Sequence, residues 1–160
     1  MTLYFAYGSN MGRAPMAQRC PGAKALGVAN LRNHRFVVMA NGYASVTRAA
    51  GMSVHGVLWR ITPRDLAALN AYENVAGGLY RQAWLAVTHE ARTMTALVYI
   101  GRDQRLGRPR PGYMELVIDA AREWELPEDY VAGLSRWAPG GWAGAAAPDT
   151  GDMRSGGGGT

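Results

Sequence analysis

Short runs of apolar and β-branched residues at 2–7, 24–31, 34–40, 43–48, 53–60, 79–89 and 92–100 fill most of the first hundred positions. Gly and Asn separate them, and Asn41-Gly42 is a hairpin signal because both residues tolerate the left-handed backbone of a tight turn. Runs this short and closely spaced pair with their neighbours in sequence. They predict a mainly antiparallel sheet that can close into a barrel. Helices interrupt and follow the sheet, so the class is α+β.

The helices are marked by their ends. Met11 to Cys20 holds a short helix closed by Cys20-Pro21-Gly22. The clearest helix opens at Thr62-Pro63-Arg64-Asp65: Thr62 is a good N-cap, Pro63 suits the first helical position, and Asp65 approximates a capping box. Ile61 and Leu66 are placed for a hydrophobic staple. A helix over 111–124 starts at Pro111 and puts Met114, Val117, Ile118 and Ala121 on one face, and another covers 128–137. Trp59, Trp84, Trp124, Trp137 and Tyr99 are expected to pack the core. From Ala138 onward Gly, Ala, Ser and Pro dominate, and residues 139–160 read as a flexible tail on a single domain of 1–138.

Composition excludes several classes. There is one cysteine, Cys20, so no internal disulfide ties the chain to an oxidising compartment. No signal peptide and no membrane span is visible, and a cytoplasmic protein is expected. The net charge of +5 comes with 17 Lys and Arg, all Arg except Lys24. The densest group is Arg102, Arg105, Arg108 and Arg110, in a Gly- and Pro-containing segment that reads as a surface loop. Basic and aromatic residues do not interleave as they do in a nucleic-acid groove, so no nucleic-acid partner is expected. His34, His55 and His89 lack metal-ligand spacing, and no phosphate or dinucleotide motif is present. No metal and no cofactor are expected.

Two places can hold chemistry. Tyr7-Gly8-Ser9-Asn10 follows an apolar strand. Its plain reading is a strand-to-helix turn in which Ser9 and Asn10 cap the helix. Its other reading is a concavity of backbone N–H groups suited to a carboxylate or an oxyanion. The second place is Glu73, which with Leu66 and Leu69 falls on one face of the helix opened by Thr62. Burial there and the negative helix end both disfavour its charge, giving a raised pKa suited to a proton carrier. Two plain readings stay open: the helix frays before Glu73, or its side chain meets an arginine such as Arg81.

These residues also carry a resemblance. Leu3-Tyr4-Phe5-Ala6-Tyr7-Gly8-Ser9-Asn10-Met11 is similar to the N-terminal signature of the γ-glutamylcyclotransferase-like family. His55-Gly56-Val57-Leu58-Trp59, Leu69 to Val75 with Gly78-Leu79-Tyr80, Pro109 to Tyr113, and Leu126-Pro127 with Tyr130 resemble later segments of that family, in its order. The resemblance implies a small mixed or antiparallel β-barrel with flanking helices and a cavity at its mouth. It implies that Glu73 is the acid–base residue. It implies that Tyr4, Phe5, Ala6, Tyr7, Gly8 and Ser9 cradle a γ-glutamyl group, that Asn10 completes the signature, and that Tyr113 closes on the substrate. Two positions depart from the pattern: Asn74 stands where Gly is usual and Asn70 where Asp is frequent.

The expected activity is cofactor-independent release of 5-oxoproline from a small γ-glutamyl amide by internal aminolysis. The leaving portion is not legible: γ-glutamyl amino acids, γ-glutamyl amines and γ-glutamyl-protected biosynthetic intermediates all remain open. A non-catalytic module that captures a small carboxylate on the same barrel is the rival. Oligomeric state is not readable from this chain.

Overall fold

Strand β1, Thr2–Ala6, closes the sheet on itself. It pairs antiparallel with β3 (Ala44–Ile61) and touches β5 (Arg92–Gly101) in parallel at Tyr4 and Leu97. Strand β2 (Lys24–Val38) pairs with β3, and β4 (Tyr80–His89) pairs with β5 over its full length. The computed structural model describes residues 1–138, and the order around its closed barrel is β1-β3-β2-β4-β5. The α+β barrel with flanking helices is thus the observed architecture. The tail expected at 139–160 lies outside the described residues.

The four short runs expected between 24 and 60 are two long bent strands. The expected breaks fall where the ladder slips. Arg32 pairs with Ser53, but His34 pairs with Arg48, so Asn33 alone spans a four-residue excursion of β3. Asn33 takes a left-handed φ of 59°, and its Oδ1 accepts the Gly51 N–H at 3.1 Å. Asn41-Gly42 turns the chain between β2 and β3, with Gly42 at φ 90° and the Tyr43 N–H bonded to Asn41 Oδ1. Gly56 is required by close approach: a Cβ there would lie 2.2 Å from the Ala6 carbonyl oxygen on β1.

A 3₁₀ turn at Ser9–Met11 leads into α1 (Arg13–Arg19). Helix α2 (Pro63–Tyr72) follows β3, and its N-terminus carries the full capping box between Thr62 and Asp65. Helix α3 (Tyr113–Glu123) starts after Gly112, two residues later than expected, because Gly112 adopts a left-handed φ of 79°. Its buried face is Met114, Val117, Ile118, Ala120 and Ala121. Helix α4 (Glu128–Ser135) packs against α3. The Trp124 Nε1–H donates to the Met11 carbonyl at 2.7 Å, fixing the end of α3 to the turn after β1.

Trp84 departs from the expected core. Outward positions of β4 alternate at Gln82, Trp84 and Ala86, and Trp84 is 53% exposed. No helix among the described residues is long and apolar enough to cross a membrane.

Candidate active site

One end of the barrel opens into a cleft of about 660 Å³, counted out to its mouth. Its wall draws on six separate stretches of chain. Tyr4 and Tyr7 come from β1 and its end, and Gly8, Ser9 and Asn10 from the turn that follows. Tyr43 and Ala44 come from the β2–β3 turn, Tyr72 and Glu73 from the end of α2, and Leu79 and Tyr80 from the start of β4. Tyr99 comes from β5 and Tyr113 from the first position of α3. Seven of the eight tyrosines are here. Phe5 and Ala6 do not line the cleft; both are buried in the core, where Ala6 backs onto Gly56.

The tyrosine hydroxyls are held in place. Tyr7 donates to the Tyr99 carbonyl at 2.5 Å, and Tyr80 donates to the Ala44 carbonyl at 2.5 Å. The Tyr99 hydroxyl donates to Asn70 Oδ1 at 2.6 Å, and Gln82 Nε2 donates to the same oxygen at 2.8 Å. Asn70 therefore supplies one acceptor that both donors share. Tyr113 Oη accepts the Ala44 N–H at 3.4 Å. A Cβ at Gly8 would come within 3.1 Å of that same oxygen, so Gly8 lets Tyr113 approach the turn. Burial raises the pKa of Tyr4, Tyr7, Tyr80, Tyr99 and Tyr113, and the charge of Glu73 raises each further. These phenols stay protonated, and Tyr4 and Tyr113, whose hydroxyls accept rather than donate within the protein, offer their protons to a bound carbonyl or carboxylate.

Asn10 has a different task from the expected cap. The 3₁₀ turn and α1 are preceded by Gly8 and Gly12 and have no side-chain caps. Asn10 is buried, its Nδ2 donates to Tyr4 Oη at 3.1 Å, and its Oδ1 accepts from the Arg19 guanidinium. The Arg19 guanidinium also lies over the Tyr72 ring, 3.5 Å from its centroid. Arg19, unremarked in the sequence, thus braces both sides of the cleft from behind.

Glu73 sits at the C-cap of α2, where the helix ends at Tyr72. Its backbone N–H still donates to Leu69 at 2.8 Å, and Leu69 is fully buried beneath it. Asn74 then turns the chain with a φ of 49°, as the tolerance of Asn for left-handed angles allows. The helix therefore ends just before Glu73, whose side chain lines the cleft wall. Among the described residues no group donates a hydrogen bond to its carboxylate. Burial raises its pKa from the ordinary carboxylate range to about 7, and the positive charge of Arg19, not Arg81, pulls it partly back. Such a group takes and returns a proton near neutral pH.

The other singled-out residues stay outside the cleft. His34 and His89 bond backbone carbonyls through Nδ1, at 2.8 Å each, and His55 packs edge-on against Tyr130. Among the described residues no cluster of His, Cys, Asp or Glu is arranged to hold a metal. Cys20 is buried with its Sγ 3.7 Å from the Asp65 carbonyl, and burial pushes its thiol up to about 11. The missed residues are Tyr43, Tyr72, Tyr80 and Tyr99 on the wall and Arg19 behind it. Tyr72 and Tyr80 flank the Glu73 segment in sequence; Tyr43 and Tyr99 carry no local signal.

The model of the AIG2-like family matches residues 53–134, from the second half of β3 into α4. Gamma-glutamylcyclotransferases of Mus musculus and Homo sapiens are each 27% identical to the chain over 162 residues, covering 94% of it and 86% of the relative. A solved structure named as a gamma-glutamyl cyclotransferase superposes with a TM-score of 0.80 at 26% identity, covering 96% of this chain and 98% of that one. YkqA from Bacillus subtilis shares the fold, with a TM-score of 0.74 over 84% of this chain and 53% of that one. The matched family segment spans just over half of the chain and contains Glu73, Tyr80, Tyr99 and Tyr113, and on that footing the chain belongs to the AIG2-like family.

Proposed function

We propose that the chain is a γ-glutamyl cyclotransferase that releases 5-oxoproline by internal aminolysis, with Glu73 as general base and then general acid. The family membership and the end-to-end similarity to gamma-glutamylcyclotransferases support a cyclotransferase-like enzyme. The observation that carries the mechanism is the state of Glu73. It is the one carboxylate on the cleft wall among the described residues, and burial holds its pKa near 7.

The substrate's α-ammonium gives a proton to Glu73, and the freed amine attacks its own γ-carbonyl carbon. The amide C–N bond then breaks as Glu73 returns that proton to the departing nitrogen, and the ring nitrogen passes its second proton through Glu73 to the departing amine, which leaves as an ammonium beside the neutral lactam. The attacking amine is tethered to its target. Holding the folded conformer can therefore account for ~7–11 kcal/mol of the barrier. Backbone amides at Gly8 and Ser9, with the hydroxyls of Tyr4 and Tyr113, hold the substrate's α-carboxylate and the developing oxyanion, where one donor is worth ~2.7–4 kcal/mol. No acyl-enzyme is formed, so no nucleophile is needed. A cytoplasmic setting is part of the proposal.

Glu73→Gln tests it. The variant keeps the side-chain shape but carries no proton near neutral pH. It is expected to lose about 10²–10⁴-fold in 5-oxoproline release from its best γ-glutamyl substrate. Wild-type turnover in that variant would remove Glu73 from the mechanism.

A further inference from the structure

Four arginines crowd the loop between β5 and α3, and their fates differ. Arg105 is spent within the loop, its Nε and Nη2 both bonded to Asp103 at 3.1 Å. The side chains of Arg102 and Arg108 are exposed and make no hydrogen bond or ion pair among the described residues. Arg110 is exposed and does not itself line the cleft, but it is fixed to the β2–β3 turn, whose Tyr43 does. Its backbone N–H donates to Gly42 at 3.2 Å, and its Nε donates to the Asn41 carbonyl at 3.1 Å. Its stem packs so closely on the β2–β3 turn that a Cβ at Gly42 would meet Arg110 Cγ at 2.6 Å. Its guanidinium carbon lies 4.6 Å from the centroid of the Tyr43 ring. Tyr43 lines the cleft and meets Tyr113 edge-on, at 5.7 Å between centroids.

A surface arginine ordinarily loses much of its binding power to its own flexibility. Here the stem, the Nε and one face are already committed, so little freedom remains to be lost. The two Nη groups make no hydrogen bond or ion pair among the described residues. They form a pre-oriented fork one ring outward from the cleft. That fork matches a carboxylate or similar oxyanion bidentately. Glu73 and Tyr43 line the same cleft, so a leaving portion that extends from Glu73 past Tyr43 meets this fork.

We propose that Arg110 is a specificity-determining residue that recognises a carboxylate on the leaving portion of the substrate, so that γ-glutamyl amino acids and peptides are taken in preference to γ-glutamyl amines. The assignment rests on the cyclotransferase reading above. It resolves which of the open leaving portions this chain accepts. It also separates Arg110 from the general positive charge of its loop.

The test compares γ-glutamyl-L-alanine with γ-glutamylethylamine, which differ only by the carboxylate. Wild-type kcat/KM should favour the alanine compound by about tenfold or more, as expected for a charge-assisted bidentate contact. Arg110→Gln, which keeps part of the stem but not the fork, should erase most of that preference, chiefly through KM. Arg108→Ala removes the same charge from the same loop and should retain it. An unchanged preference in Arg110→Gln overturns the assignment, as does an equal loss in Arg108→Ala. Calorimetric binding of both compounds to Glu73→Gln, with and without Arg110→Gln, gives a second readout. If wild type releases 5-oxoproline from neither compound nor from a wider panel of γ-glutamyl amides, the cyclotransferase reading falls. The binding difference then decides on Arg110 by itself, and its absence overturns the assignment.

Discussion

Helix α2 carries a buried or half-buried carboxylate at each end, and the two are treated in opposite ways. Asp65, in the first turn, is 1% exposed. Its Oδ1 accepts the Gly22 N–H at 3.2 Å and its Oδ2 accepts the Thr62 N–H at 3.0 Å, where the helix dipole is positive. Glu73, at the last turn, faces the negative end of the same dipole, and no donor among the described residues reaches its carboxylate. One desolvation cost is offset by hydrogen bonds and the other is left standing. A carboxylate whose lone pairs are filled is a structural part. One whose charge is left uncompensated near neutrality is a chemical tool.

The largest expected contrast comes from removing each group in turn. Glu73→Gln should abolish most activity while keeping the fold. Asp65→Ala should cost about 2–4 kcal/mol of stability, because the capping box is broken and two N–H groups lose their acceptor. Its kcat per folded molecule should stay near wild type. Urea unfolding and turnover, measured on both variants, check the pair. If Asp65→Ala were stable and inactive, the contrast between the helix ends would break.

The contribution of Glu73 to stability should also depend on pH. The folded pKa of Glu73 is raised to about 7 from a reference of 4.5, so the folded state favours the protonated acid. The associated stability is fully present below the reference value, is lost as pH rises through that window, and is gone above about 7. Relative to wild type, Glu73→Gln should therefore gain on the order of 1–3 kcal/mol at pH 8. The gain should vanish toward pH 4. A pH-independent difference would contradict the desolvation account.

The contrast between the helix ends was partly open to sequence reasoning. Thr62-Pro63-Arg64-Asp65 announces its cap because the capping rule is local, and the structure shows both bonds of the box. Glu73 is visible as a carboxylate on an apolar stripe, and although the helix stops at Tyr72, the residue's N–H still bonds Leu69 and its side chain lines the cleft wall. What surrounds it could not be read. Tyr43, Tyr80, Tyr99 and Tyr113 meet only because the barrel closes, and no spacing along the chain records that. Asn10 illustrates the same limit: local rules make it a cap, whereas Tyr4 and Arg19 claim both ends of its amide. The breaks near residues 33 and 49–52 were legible as interruptions, but their nature, a slip within two continuous strands, depends on the partner's register.

The smallest effect belongs to Arg19. Its charge lowers the pKa of Glu73, against the larger effect of burial. Charged and titratable groups around the carboxyl are Arg19 from α1, Tyr4 and Tyr7 from β1, Tyr80 from β4, Tyr99 from β5 and Tyr113 from α3. Arg19→Met keeps a stem against Tyr72 but removes the cation. The ascending limb of kcat/KM against pH should lie near 7 in wild type and move upward in the variant. A limb that stays in place would show that Arg19 acts only as a brace for Asn10.

The most direct measurement is a ¹³C NMR titration of the Glu73 side-chain carboxyl in the ligand-free protein, assigned by its loss in Glu73→Gln. The account predicts a midpoint near 7, well above the ordinary glutamate range. A midpoint close to 4.5 would mean that water or an unrecognised donor already satisfies the carboxylate, and the proton-carrier role would be contradicted.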